Sequence, residues 1–270
     1  MENSVNSHII GHITKSEQGI FAFPIFDTSI GESLIKTGRS GGADLDLIWK
    51  VVGRDDKVLF VGAHIGTLAI PTARICTHVT AIEANPEIFR YLKINSELNN
   101  IENIILHQAA AAEDVKKITF IATEQNSGGS KILPLNPHPH YLTGAHKLIE
   151  LDTVRLDDLL GESKYKAIVM DIEGSEYFAL KGMQRILNET EVLFIEWITF
   201  HLEFVANISP ESFSKELEKH FEYLYIPGMN VYVTREMFPS LLRKLYDMKY
   251  HQDLIVFAKN LESIQKIMLK

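Results

Sequence analysis

The stretch VLFVGAHIGTLAIPTA, Val58 to Ala73, constrains this chain more than any other. An apolar run stops at Gly62, Gly66 follows, and a helix-like segment comes next. A buried strand that turns on glycine into a helix reads as the opening of a βαβ unit. The same alternation then continues. HVTAIE is a second strand, and NPEIFRYLKINSELNN is a helix that Asn85 can cap, with Pro86 at its first position. Its residues Ile88, Tyr91, Leu92 and Leu98 form one apolar face. NIILHQ, YKAIVMD and EVLFIEW supply further strands, with a helix in SEYFALKGMQRIL. Later come a helix in PESFSKELEKHF, the strands EYLYI and VYV, a helix in EMFPSLLRKLY and the strand DLIVFA. Strands interleaved with helices predict an α/β fold: a doubly wound, mostly parallel sheet covered on both faces. The final strand is expected as an antiparallel edge.

The 270 residues, 46% of them hydrophobic, suffice for one large domain. That domain is expected over residues 51–260. Residues 1–50 read as an N-terminal extension, with a short strand in GIFAFPIF and a helix in ADLDLIWKVVG. Residues 123–147 are a long polar connection, either a mobile loop over a site or an extra hairpin. Residues 261–270 form a C-terminal tail or helix. A net charge of -8 is poorly suited to gripping nucleic acid or an anionic membrane, so no nucleic-acid partner is expected. The single cysteine, Cys76, excludes an internal disulfide and a cysteine-rich zinc site, and its apolar surroundings place it in the core. No basic start leads into an apolar segment, and no apolar run is long enough to span a bilayer. The expected compartment is the cytoplasm, and nothing in the sequence opposes a homo-oligomer.

In open α/β sheets, ligands bind at the carboxyl ends of the strands. The loop Gly62-Ala63-His64-Ile65-Gly66 lies there, and Glu83 closes the next strand, where a carboxylate can accept hydrogen bonds from ribose hydroxyls. NAD and S-adenosylmethionine both carry that ribose. A dinucleotide loop needs glycine where this chain has His64, because the backbone must approach a pyrophosphate. S-adenosylmethionine has no phosphate, and His64 leaves room for it.

A second constellation is VMDIEGSEYFALKG. Asp171 ends the fourth core strand and Glu173 follows; Glu196 ends the fifth, in FIEW. Adjacent first and fourth strands bring this loop to face the glycine loop. One carboxylate there could act as a base towards a substrate hydroxyl, and others could hold the ammonium or sulfonium of the cofactor. Glu176 follows the capping residue Ser175, and the helix dipole alone favours an acid at that place. Asp171, Glu173, Glu196 and His201 offer hard metal ligands, but their spacing matches no metal motif, and no metal is expected.

With these residues in place, the sequence resembles the FkbM-type methyltransferases, a branch of the S-adenosylmethionine-dependent Rossmann-like enzymes (class I type). Three blocks carry the resemblance: VGAHIGTLAIPTA with AIEANPEIFRYLKINSELNN; VRLDDLL; and VMDIEGSEYFALKGMQRIL with FIEW. It implies methyl transfer from S-adenosylmethionine to a hydroxyl of a sugar, polyketide or other small metabolite. It implies that Gly62, Ala63, His64, Gly66, Glu83, Ala84, Asn85 and Asp171 line the cofactor, with Ala109 near the adenine. Asp171, Glu173 and Glu196 are the catalytic candidates. The chain departs from the family at Phe60, where an acid is usual two residues before the first glycine, and at His64, where asparagine is usual. Residues 123–147 are expected to shape the acceptor pocket, with His138 and His140 read as solvated loop histidines rather than bases. An NAD-dependent oxidoreductase and a non-catalytic S-adenosylmethionine-binding domain are the competing readings.

Overall fold

The computed structural model describes residues 9–136, 138–139 and 145–269. An antiparallel hairpin, β1 (Gly11–Lys15) and β2 (Ile20–Pro24), precedes two helices, α1 (Ile30–Thr37) and α2 (Gly42–Trp49). The alternating part follows: β3 (Lys57–Val61), α3 (Ala69–Ala73), β4 (His78–Glu83), α4 (Pro86–Leu98) and β5 (Ile104–Gln108). Four strands then intervene, β6 (Ala110–Ala111), β7 (Lys117–Thr123), β8 (Lys131–Ile132) and β9 (His146–Val154). The alternation resumes with α5 (Leu156–Leu160), β10 (Ala167–Met170), α6 (Glu176–Lys181), α7 (Gln184–Glu189) and β11 (Val192–Ile198). The chain ends through α8 (Pro210–Glu218), β12 (Tyr223–Ile226), β13 (Val231–Thr234), α9 (Phe238–Asp247), β14 (His251–Ala258) and α10 (Leu261–Met268).

Eight strands make the main sheet, in the order β13-β12-β14-β11-β10-β3-β4-β5. The strands from β11 to β5 in that order are parallel, and β3 lies between β10 and β4. The chain therefore reverses its direction of winding at β3, which opens a crevice at the carboxyl end of that strand. The last strand corrects the sequence-based expectation. β14 is antiparallel, but it sits between β11 and β12, and β13 is the edge. Leu254, Ile255, Val256, Phe257 and Ala258 are all buried, so β14 is apolar on both faces and is stabilised by cover on both.

Side chains alternate across the sheet. Leu59 of β3, Ile168 of β10 and Leu193 of β11 face one apolar layer, which includes Leu180, Phe213 and Leu242. Val58, Phe60, Val169 and Phe194 face the other, with Ile48, Ala73 and Ile264. Cys76 is buried and free, as its surroundings in the sequence suggest.

The N-terminal extension contains two strands and two helices, one of each more than its sequence suggests. Phe21, Phe23 and Leu34 pack with Ile65, Ile70 and Ile88. Two asparagines satisfy the backbone of β2: Asn95 of α4 exchanges hydrogen bonds with Ala22, and Asn99, which caps the end of α4, with Ile20. Asn95 Nδ2 also donates to Ile65 O at 2.8 Å, which ties this contact to the glycine loop.

The strands that flank the polar connection pair with each other. β7 pairs antiparallel with β9 from Lys117↔Asp152 to Thr123↔His146, in a four-stranded sheet ordered β6-β9-β7-β8. A tight turn at Ser127–Gly129 lies between β7 and β8. His140 lies outside the described residues; His138 packs against Phe204 with ring centroids 4.6 Å apart and the rings tilted by 37°. Among the described residues no helix is long and apolar enough to cross a membrane.

Candidate cofactor and catalytic site

A cavity of about 380 Å³ opens at the carboxyl ends of β3, β4, β10 and β11. Its floor is the glycine loop. Gly62 has φ +89°, and a Cβ there would stand 1.8 Å from the backbone oxygen of Asp171. Only glycine permits this approach, and it presses the loop after β3 against the loop after β10. His64 also adopts a left-handed conformation, with φ +51°.

Glu83 holds the loop in that shape. Its Oε2 accepts from His64 N at 2.9 Å, and its Oε1 from Asn85 N at 2.8 Å. The Ala84 N–H also reaches this carboxylate, and the lone-pair capacity left over can serve a ligand hydroxyl. Burial pushes the Glu83 carboxyl up to about 7, against the pull of the backbone N–H groups.

The His64 ring joins three parts of the chain. Its Nε2 lies 2.7 Å from Ser127 Oγ, in the turn between β7 and β8. Ser127 donates in turn to Asp27 of the N-terminal segment, whose other oxygen accepts from Ser29 N and Gly31 N. Because the serine proton goes to Asp27, His64 is the donor to Ser127. The ring proton then sits on Nε2 and Nδ1 is a bare acceptor. Burial lowers the His64 pKa to about 4, which keeps the ring neutral at pH 7. Nδ1 is buried with no partner among the described residues.

The opposite wall is acidic. Asp171, Glu173 and Glu196 line the cavity, as does Asp44 from α2. Asp171 is open to the cavity; the poorer solvation inside it, then the neighbouring Glu196, Glu173, Glu176 and Asp44, raises its carboxyl above the usual carboxylate range. Glu173 is left-handed at φ +56°, and Gly174 follows at φ +100°. A Cβ on Gly174 would lie 2.6 Å from Val205 Cβ. The loop is thus packed hard on the π-helical turn His201–Ala206. Strained backbone and π turns both concentrate at functional sites. Glu176 holds the loop from within by accepting from Ile172 N at 2.9 Å and Gly174 N at 3.3 Å, which accounts for its burial.

His201 bridges two of the acids. Its Nδ1 is 3.0 Å from Glu196 Oε2 and its Nε2 is 3.3 Å from Glu173 Oε2. Burial lowers its pKa. Lys131 of β8 places its ammonium 3.0 Å from the same Glu173 oxygen. One potential ligand atom each from Glu173, Glu196 and His201 lie within 4.8 Å of one another. The lysine already supplies a cation to this group.

Seven of the residues expected at the cofactor line the cavity: Gly62, Ala63, His64, Glu83, Ala84, Ala109 and Asp171. Gly66 and Asn85 do not. Gly66 is pressed against Ile70 and Leu92, where a Cβ would lie 2.7 and 2.9 Å away. Asn85 accepts from Glu87 N as the cap of α4, and its amide reaches Ser130. Phe60 is buried in the core and forms part of the cavity's inner wall. Asp27, Asp44, Ser127 and Lys131 reach the site from segments in which no local pattern singles them out. The one signal at hand is the polar composition of the 123–147 connection.

The strand order, with its switch point at β3 and an antiparallel β14 inserted beside β11, defines a Rossmann-like sheet of the class I methyltransferase type. Residues 61–251 match the model of the methyltransferase FkbM domain, and the chain belongs to that family. A crystal structure of methyltransferase FkbM from Methylobacillus flagellatus KT is similar at 17% identity and a TM-score of 0.40, over 76% of this chain and 43% of that one. A precorrin-6y C5,15-methyltransferase from Geobacter metallireducens GS-15 aligns at 12% identity and a TM-score of 0.43, over 80% of this chain and 86% of the other. The probable ribosomal RNA small subunit methyltransferase A of Methanothermobacter thermautotrophicus is 43% identical over 51 residues, 19% of each protein. The chain thus spans less than a fifth of the curated relatives it matches.

Proposed function

We propose that this chain transfers a methyl group from S-adenosylmethionine to a hydroxyl of a sugar or other small metabolite. One observation carries the reading: a glycine loop and a buried Glu83 face Asp171, Glu173, Glu196 and Asp44 across a single cavity. The residues suit this cofactor. Gly62 leaves the loop bare for close approach, and Glu83 has lone pairs for ribose hydroxyls. Acids crowded in a desolvated cavity favour a cationic ligand. When bound, the cofactor supplies an electrophilic methyl group on a sulfonium.

The chain's own residues do the rest. Gly62, Ala63, His64, Ala84 and Ala109 shape the cofactor face, and Asp171 lies where the glycine loop meets the β10 loop. Glu173 borders the cavity with Lys131 and His201 on one of its oxygens. It takes the proton from the acceptor hydroxyl, while Lys131 and His201 hold its orientation. Glu196 fixes His201 from the other side. The hairpin of β7, β8 and β9 closes the cavity over the acceptor and excludes water.

The His64 ring, held by Ser127 in front of the loop, opposes a dinucleotide pyrophosphate. The relative from Methanothermobacter acts, by its name, on ribosomal RNA. A net charge of -8 favours a small acceptor here instead, and the composition fits a cytoplasmic enzyme.

Calorimetry with S-adenosylmethionine and NAD tests the cofactor, and mass spectrometry on a panel of hydroxylated acceptors tests transfer. Glu173→Gln should bind S-adenosylmethionine normally and lose turnover. Tight NAD binding without S-adenosylmethionine binding overturns the proposal.

A further inference from the structure

The N-terminal segment contributes a wall of the cavity, and one side chain fixes it there. Buried Gln18 accepts from Ser40 N at 2.6 Å and donates to Ser40 O at 2.9 Å and Thr67 O at 3.2 Å. The start of α2 is thereby held against the residues that follow the glycine loop. A Cβ on Gly41 would lie 3.0 Å from Leu68 Cδ2. Ser40, Gly41 and Asp44 line the cavity beside Thr67 and Leu68. Asp44 is buried in the first turn of α2.

The topology says which end of the cavity this is. β3 lies between β4, which ends in Glu83, and β10, which leads to Asp171. Glu83 marks the ribose on the β4 side, so the amino-acid end of the cofactor falls on the β10 side. Asp44 stands on that side, close enough for its charge to act on Asp171. Of the strand residues beneath, Phe60, Val169 and Leu254 are apolar, and the acid of β11, Glu196, is engaged by His201. An amino-acid ammonium placed there needs an acceptor that β3 does not offer.

Resting on the cofactor reading above, we propose that Asp44 binds the α-ammonium of S-adenosylmethionine. The N-terminal segment thereby supplies the acid that Phe60 removes from β3. Residues 18–44 then belong to the cofactor site, and Gln18 is the residue that positions them.

Calorimetry on the full chain and on Asp44→Asn tests this with three ligands. S-adenosylmethionine and S-adenosylhomocysteine carry the ammonium; 5′-methylthioadenosine lacks the whole amino-acid part. A charge-assisted hydrogen bond lost from a buried pair weakens binding by about ten- to a hundredfold. That loss is expected for the first two ligands, with 5′-methylthioadenosine unchanged, which also shows that the variant is folded. Asp44→Glu, which keeps the charge, should recover most of the affinity. Unchanged affinity for S-adenosylmethionine in Asp44→Asn, or an equal loss for all three ligands, overturns the assignment. Failure of all three to bind the unaltered chain overturns the cofactor reading itself, and this inference with it.

Discussion

Gly62→Ala puts a number on how tightly the site is built. Two costs add. A side chain at φ +89° sits in backbone space that costs an ordinary residue about 1–2 kcal/mol. The added Cβ would also stand 1.8 Å from the backbone oxygen of Asp171, a residue whose N–H is tied to Val61 O at 3.0 Å. Backbone cannot rotate away as a side chain does, so overpacking adds at least about 1–3 kcal/mol. The control is Gly38→Ala. Gly38 has a similar φ of +71°, but its nearest contact would be a flexible Glu17 carbon at 3.5 Å. It should cost only the conformational part, about 1–2 kcal/mol. Urea denaturation of both variants isolates the contact as the difference, about 1–3 kcal/mol. Gly62→Ala should also abolish calorimetric binding of S-adenosylmethionine, since the loop must leave the β10 loop to admit the methyl group. If the two variants are equally stable, or if Gly62→Ala still binds cofactor, the close packing of the two loops is not what shapes the site.

Cofactor affinity should tighten with rising pH. Burial holds Glu83 up at about 7, above its ordinary 4.5, and ribose hydroxyls donate to the ionised form. Between pH 6 and 8 the ionised fraction, and with it the affinity, rises about tenfold; Glu83→Gln should flatten the profile, and a flat profile in the unaltered chain would refute the assignment. The same group makes the ligand-free protein less stable as pH rises from about 4.5 to 7. The folded state keeps a proton that the unfolded chain has released, a contribution of roughly 3 kcal/mol lost across that window. Ser127→Ala leaves the buried His64 Nε2–H without its acceptor and should cost about 1–3 kcal/mol in urea denaturation. A loss below about 0.5 kcal/mol would mean that the Asp27–Ser127–His64 chain does not tie the three segments together.

Several features were legible in the chain because they are written in neighbouring residues. The alternation of buried strands and helices reports on contacts within a few positions, and it predicted the parallel strands β3, β4, β5, β10 and β11 with the helices between them. Asn85 and Pro86 marked the start of α4 for the same reason. Gly62, Glu83, Asp171 and Glu173 stood at or just past strand ends, and the carboxyl edge of a parallel sheet gathers strand ends; Glu196, expected to end its strand, instead lies inside β11 at its bulge.

Tertiary structure decided what completes the site. Ser127 meets Asp27 across 100 positions of sequence, and Lys131 meets Glu173 across 42. No periodicity announces such pairs, because their energy is gained only when distant segments have already docked. Nor could the residues around Gly66 and Asn85 say that these two serve packing and capping rather than the cavity. β14 lies inside the sheet because it pairs with β11 on one side and β12 on the other, partners far from it in sequence. Phe60 shows the division most plainly. The resemblance to the FkbM family implies an acid where β3 has Phe60, and only the fold shows that Asp44, on a helix from the N-terminal segment, stands in the same cavity.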